Sequence, residues 1–90
     1  MANFASNFGN PNAIGANGTL YAKHSDGAVI CFVCTVGGTL DLYDGHDNTG
    51  THFVSALPVT GGQTHVIPCA FSNGLYVACS GGAAGTIIWI

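Results

Sequence analysis

The sequence predicts an all-β domain, a small β-sandwich or barrel of jelly-roll or Greek-key kind with an extended N-terminal arm. Three observations lead there. Short pieces rich in Val, Ile, Thr, Tyr and Phe alternate with Gly and Asn punctuation, no window spaces its apolar residues by three and four as a helix does, and about seven such pieces recur every 8–12 residues or so. At 90 residues the chain has apolar surface for one core, so residues 18–90 are expected to form a single domain behind an arm over residues 1–17.

The arm is rich in Asn, Gly and Ala, and Phe4 and Phe8 are its large aromatic groups, suited to docking on another surface. Thr19 to Lys23 reads as a first strand, ended by Ser25-Asp26-Gly27. Ala28 to Val36 is long and apolar enough for a strand buried on both faces. Gly37-Gly38 supplies a two-residue turn into Thr39–Asp44, whose alternation puts Leu40 and Leu42 inward, so these two segments are expected to form a hairpin. After a polar loop from Asp44 to Gly50, a strand from Thr51 should stop at Leu57 because Pro58 has no N–H for a central ladder, and another from Thr64 should stop at Ile67 before Pro68. Gly74–Ser80 and Thr86–Ile90 complete the set.

Charge is scarce. One Lys+Arg against four Asp+Glu gives 1 − 4 = −3, and only 6% of residues are charged. With Lys23 as the sole cation, phosphate-driven nucleic-acid binding and attachment to anionic membranes are both excluded. The longest apolar run is about half the length of roughly 18 residues that a membrane-spanning helix needs. The opening MANFASNFGNPNA lacks the basic and apolar regions of a secretory signal, so cytoplasmic synthesis and free thiols are expected.

No motif carries a reaction. Cys31-Phe32-Val33-Cys34 has zinc-knuckle spacing, but its second half is missing, since nine residues separate Cys69 from Cys79, and residues i and i+3 of a strand face opposite ways. The four histidines form no HxH or HxxxH pair. Asp41, Asp44 and Asp47 with His46 make the one concentrated polar cluster, with Asp44, His46 and Asp47 in its loop and the oxygen donors a calcium ion would use, but Asp-Gly and Asn-Thr-Gly are also ordinary turn chemistry. The expectation is a non-enzyme with no catalytic residues, no metal and no cofactor.

Low charge and high apolar content point to a chain that lives in an assembly. Gly18-Thr19-Leu20 opening a strand, Gly38-Thr39-Leu40-Asp41-Leu42-Tyr43-Asp44-Gly45, Asn73-Gly74-Leu75-Tyr76-Val77, Ser80-Gly81-Gly82 and the terminal Gly85-Thr86-Ile87-Ile88-Trp89-Ile90 resemble the turn-and-strand patterns of small β-sandwich structural proteins of tailed bacteriophages. Within that group the chain is most like a capsid decoration or cement protein. The resemblance implies a virion protein made in the host bacterial cytoplasm and placed on the capsid surface. It implies a homo-oligomer, expected as a trimer, with the major capsid protein as partner and an N-terminal arm whose Phe4 and Phe8 contact the capsid or the adjacent copy. The alternatives are a head–tail component, or a tail-fibre or spike component binding a host-surface glycan, for which Tyr43, Tyr76 and Trp89 are the sugar-stacking candidates.

Overall fold

The structure, a computed structural model, describes residues 9–90. Eight strands form: β1 (Asn10–Ile14), β2 (Thr19–Lys23), β3 (Gly27–Val36), β4 (Gly38–Asp44), β5 (Thr51–Val59), β6 (Thr64–Phe71), β7 (Leu75–Ser80) and β8 (Ala84–Trp89). They make two antiparallel four-stranded sheets, sheet A in the order β1-β8-β3-β6 and sheet B in the order β2-β7-β4-β5. Two sheets of that order are a jelly roll, the arrangement in which consecutive strands pass back and forth between the layers. Here only the β4–β5 connection stays within one sheet.

The core is the single layer of side chains between the sheets. Val29, Phe32, Cys34, Ile67, Phe71 and Ile87 come from sheet A, and Leu40, Leu42, Leu75, Val77 and Cys79 from sheet B. Phe32, Leu40, Leu42, Leu75, Val77 and Ile87 are fully enclosed, and each aromatic or leucine side chain so buried contributes about 1.5–3 kcal/mol relative to exposure.

Several sequence expectations change in register. The hairpin expected across Gly37-Gly38 is instead a crossing between sheets, with β3 paired to β6 and β8 while β4 pairs with β5 and β7. Gly38 is required at that crossing, because a Cβ would lie 2.5 Å from the Ser80 carbonyl oxygen and 2.7 Å from the Ala83 nitrogen. Nor is β3 buried on both faces. Val29, Phe32 and Cys34 face the core while Ile30, Cys31 and Val33 are half-buried on the other side, a bulge at Val29–Cys31 shifting the alternation. The arm expected over residues 1–17 is also revised, since Asn10–Ile14 is β1, paired along its length with β8 from Asn10↔Trp89 to Ile14↔Gly85. Phe4 and Phe8 lie outside the described residues.

Pro58 and Pro68 do not end their strands. Both β5 and β6 lie at sheet edges, where a missing N–H leaves no ladder partner wanting, and each is bulged near its proline. Pro11 sits in β1, a third edge. The fourth edge, β2, carries Lys23. The three prolines and the only lysine of the chain thus occupy the four exposed edges, where they oppose strand-to-strand addition.

Two glycines separate packing from chain freedom. A Cβ on Gly85 would run into the Val33 carbonyl oxygen and the Phe32 ring, whereas one on Gly15 would meet nothing within 4 Å. Gly85→Ala is therefore expected to lower unfolding free energy by about 2–3 kcal/mol, and Gly15→Ala to leave it unchanged or raise it by up to about 1 kcal/mol. Urea unfolding of both variants measures the contrast.

Candidate functional site

The polar loop between β4 and β5 is built by its own turn chemistry. The Asp44 carboxylate accepts the Ser72 N–H at 3.0–3.1 Å and the Asn73 N–H at 2.7 Å, clasping the β6–β7 turn. These backbone donors, Asn73 foremost, hold the Asp44 carboxyl below its ordinary value. Asp47 Oδ1 accepts from the Thr49 hydroxyl and from the Thr49 N–H at 2.9 Å, an Asx turn that lowers the Asp47 carboxyl in the same direction. His46 Nδ1 lies 3.5 Å from the other Asp47 oxygen, with both side chains open to water. With Asn73 and the flanking glycines these three residues line a shallow depression. Asp44, His46 and Asp47 are thus brought together, but both carboxylates already bond protein groups, and no cluster of three metal-type ligands exists among the described residues.

The cysteines divide as alternation requires. Cys31 faces outward from sheet A, while Cys34 is buried and its thiol lies 3.1 Å from the Val36 carbonyl oxygen, to which it donates. Burial, then the nearby Cys34 thiol, pushes the Cys79 thiol up, so it stays protonated. All four are free thiols.

Larger features lie on the two outer sheet faces. No strand of sheet A contains Lys, Arg, Asp or Glu. Its outer face is formed centrally by Ile30, Cys31, Val33 and Ile88, joined by Pro68 and by Val66, which is 74% exposed. The chain enters the sandwich over this face, because Gly9 lies close against the Ile88 and Ile30 side chains. Every charged side chain belongs instead to sheet B or to the β2–β3 and β4–β5 loops.

The outer face of sheet B carries an aromatic row. Tyr21, Tyr76, Tyr43 and His52 are register partners across β2, β7, β4 and β5, one from each strand. The Tyr43 and His52 rings stack at 4.2 Å, and Tyr76 meets Tyr43 at 5.9 Å with its plane turned by 60°. His24 stacks on Tyr21 at 3.9 Å, and His46 approaches the same ring edge-on at 6.2 Å. Asp41 supports the far end, its Oδ1 accepting the Ala56 N–H at 2.8 Å and lying 2.9 Å from His52 Nε2. Ala56 stands at φ 51 in the β5 bulge, so this carboxylate holds the strained residue in place.

Compared with protein-family models, curated proteins and solved structures, the chain matches none.

Of the sugar-stacking candidates, Tyr43 and Tyr76 are neighbours on this outer face. Trp89 turns inward, donates from Nε1 to Asn12 Oδ1 at 2.7 Å and is covered by Lys23, whose Nζ is 5.3 Å from the ring centre. Sequence reading missed the row as a unit, and Tyr21 and His52 within it. Its signal was present in part: Tyr43 and Tyr76 both alternate with inward residues, but pairing them requires the strand order.

Asp44→Ala removes the acceptor for two backbone N–H groups. The expected cost is about 1 kcal/mol, the figure for a capping carboxylate discounted for its contact with water. A folded-state carboxyl titrating below its unfolded value stabilises fully above the ordinary carboxylate range, and that stability is lost as pH falls through the lowered folded value. Thermal melts from neutral to acid pH should therefore show a shallower acid loss in Asp44→Ala than in the parent. Calcium should leave the parent's melting temperature unchanged, because the loop carboxylates are already held by N–H and hydroxyl donors.

Proposed function

We propose that this chain is a structural virion protein, a capsid decoration or cement subunit that binds and stabilises an icosahedral shell as an oligomer, a trimer, with the major capsid protein as its partner. The observation that carries the reading is the charge-free outer face of sheet A. A four-stranded face with no ionised group, bearing an exposed valine at its edge strand, has the character of an obligate interface. The jelly-roll order is compatible with the role, since viral capsid domains use that architecture among others.

The face measures roughly 20 by 23 Å, or about 450 Å², against the ~800 Å² per partner of a standard interface. Gly9 lies on this side of the sandwich, and Phe4 and Phe8 precede it in the sequence, outside the described residues. Cementing needs no reaction: a subunit that binds the expanded lattice and not its precursor stabilises the expanded state by mass action.

The test is co-sedimentation with expanded shells of the encoding phage. The parent chain should sediment as a trimer alone and occupy shells stoichiometrically. Val66→Lys places a charge on an already exposed edge position, so the fold should survive while shell occupancy drops at least tenfold. Deleting residues 2–8 should weaken binding as well. The deletion stops there because Asn10–Ile14 is a structural strand, and its removal would confuse binding with unfolding. A folded Val66→Lys chain that still fills the shells overturns the reading.

A further inference from the structure

We propose that the outer face of sheet B is a binding platform for a neutral glycan, centred on the row Tyr21–Tyr76–Tyr43–His52. This inference stands apart from the shell-binding reading, since it concerns the opposite face and rests on other side chains.

Aromatic cross-strand pairs stabilise a sheet on their own, so the case depends on what stabilisation leaves unexplained. First, the row is complete, with one ring from each of four strands at a single register level, spanning about 14 Å, the length of a short oligosaccharide. Second, its tyrosine hydroxyls and one carboxylate oxygen are unspent. Among the described residues none of the three tyrosine hydroxyls bonds another protein group, and Asp41 uses only Oδ1, leaving Oδ2 open beside His52. Sugars present apolar C–H faces to aromatic rings and hydroxyls to such donors and acceptors, and this face offers both.

Charge narrows the class. Asp41 lies within the face, Asp44 and Asp47 lie at its loop end, and the chain's one lysine is drawn away over Trp89. Among the described residues the face holds no Lys or Arg to pair with a sulfate, phosphate or sialic carboxylate, so sulfated and sialylated chains are disfavoured and uncharged ones fit. The 60° turn of Tyr76 against Tyr43 interrupts the stack that His52 and Tyr43 form. His46 and the depression beside Tyr21 extend it at one end.

The experiment is affinity gel electrophoresis of the full chain through gels containing dextran, yeast mannan or galactomannan, with heparin as the anionic comparison. At least one neutral polymer should retard the chain, and heparin should not. Tyr76→Thr and Tyr43→Thr, which keep strand-compatible residues, should each weaken that retardation at least tenfold, while Ala70→Thr on sheet A should leave it unchanged. No retardation by any of the three neutral polymers overturns the proposal, as do stronger retardation by heparin and undiminished retardation of the folded Tyr variants. Should a Tyr variant unfold, amide shifts of the parent titrated with oligosaccharides of the retarding polymer decide the matter. Shifts along the Tyr21–His52 row support the site, and shifts confined to sheet A overturn it. Because Val66→Lys leaves sheet B untouched, loss of shell binding and loss of glycan binding are separately readable.

Discussion

One layer of side chains holds this molecule together. A chain of 90 residues folded into two four-stranded sheets has no second core on which to rely, so every inward position must be apolar and closely fitted. Phe32, Leu40, Leu42, Leu75, Val77 and Ile87 meet that demand from both sides. The close approaches at Gly38 and Gly85 follow from it, because the backbones must draw in where the chain crosses between sheets and where Phe32 fills the layer. Once the inner faces are fixed, the outer faces are free to differ in chemistry, and here they differ completely.

Much of the fold was legible because strand chemistry is local. Thr19–Lys23 has the bounds of β2, and alternation places Leu40 and Leu42 inward, as observed. Sheet membership was not legible. Gly37-Gly38 is as compatible with a crossing between layers as with a hairpin, and only the pairing of β3 with β8 and of β4 with β7, both remote in sequence, distinguishes them. Pro58 and Pro68 were read as stops because their N–H is missing, but that rule applies to central strands, and edge position is a property of the whole sheet. Asn10–Ile14 misled for a similar reason. Its NPNAI has poor intrinsic strand propensity, and its strand character comes from β8 alongside it.

The candidate surfaces show the same division. The turn chemistry of Asp44 and Asp47 lies partly in local spacing: the Asp47–Thr49 turn spans two residues, while Asp44 reaches Ser72 and Asn73 far along the chain. The aromatic row and the charge-free face are non-local, since each needs four strands in order before its members become neighbours. Counting charges along the sequence gives their scarcity, but their confinement to sheet B and its loops emerges only with the topology.

That confinement bears on how such a chain avoids aggregating. Sheets have two ways to meet another molecule, through the unpaired backbone of an edge strand or through a face of side chains. Edge pairing is sequence-tolerant and open-ended, and it leads to fibres. Here Pro11, Pro58 and Pro68 interrupt three edges, and Lys23 stands on the fourth, so the backbone route is obstructed at every edge the fold exposes. The uncharged face of sheet A offers the other route, and face contacts depend on the shape of particular side chains such as Ile30, Val66 and Ile88. A contact that needs shape complementarity can close into a defined assembly, whereas one that needs only backbone cannot choose its partner. The prolines and the lysine therefore do more than tolerate their positions: by obstructing the indiscriminate backbone route, they let a chain with so little charge carry an apolar sheet face with less risk of open-ended strand pairing.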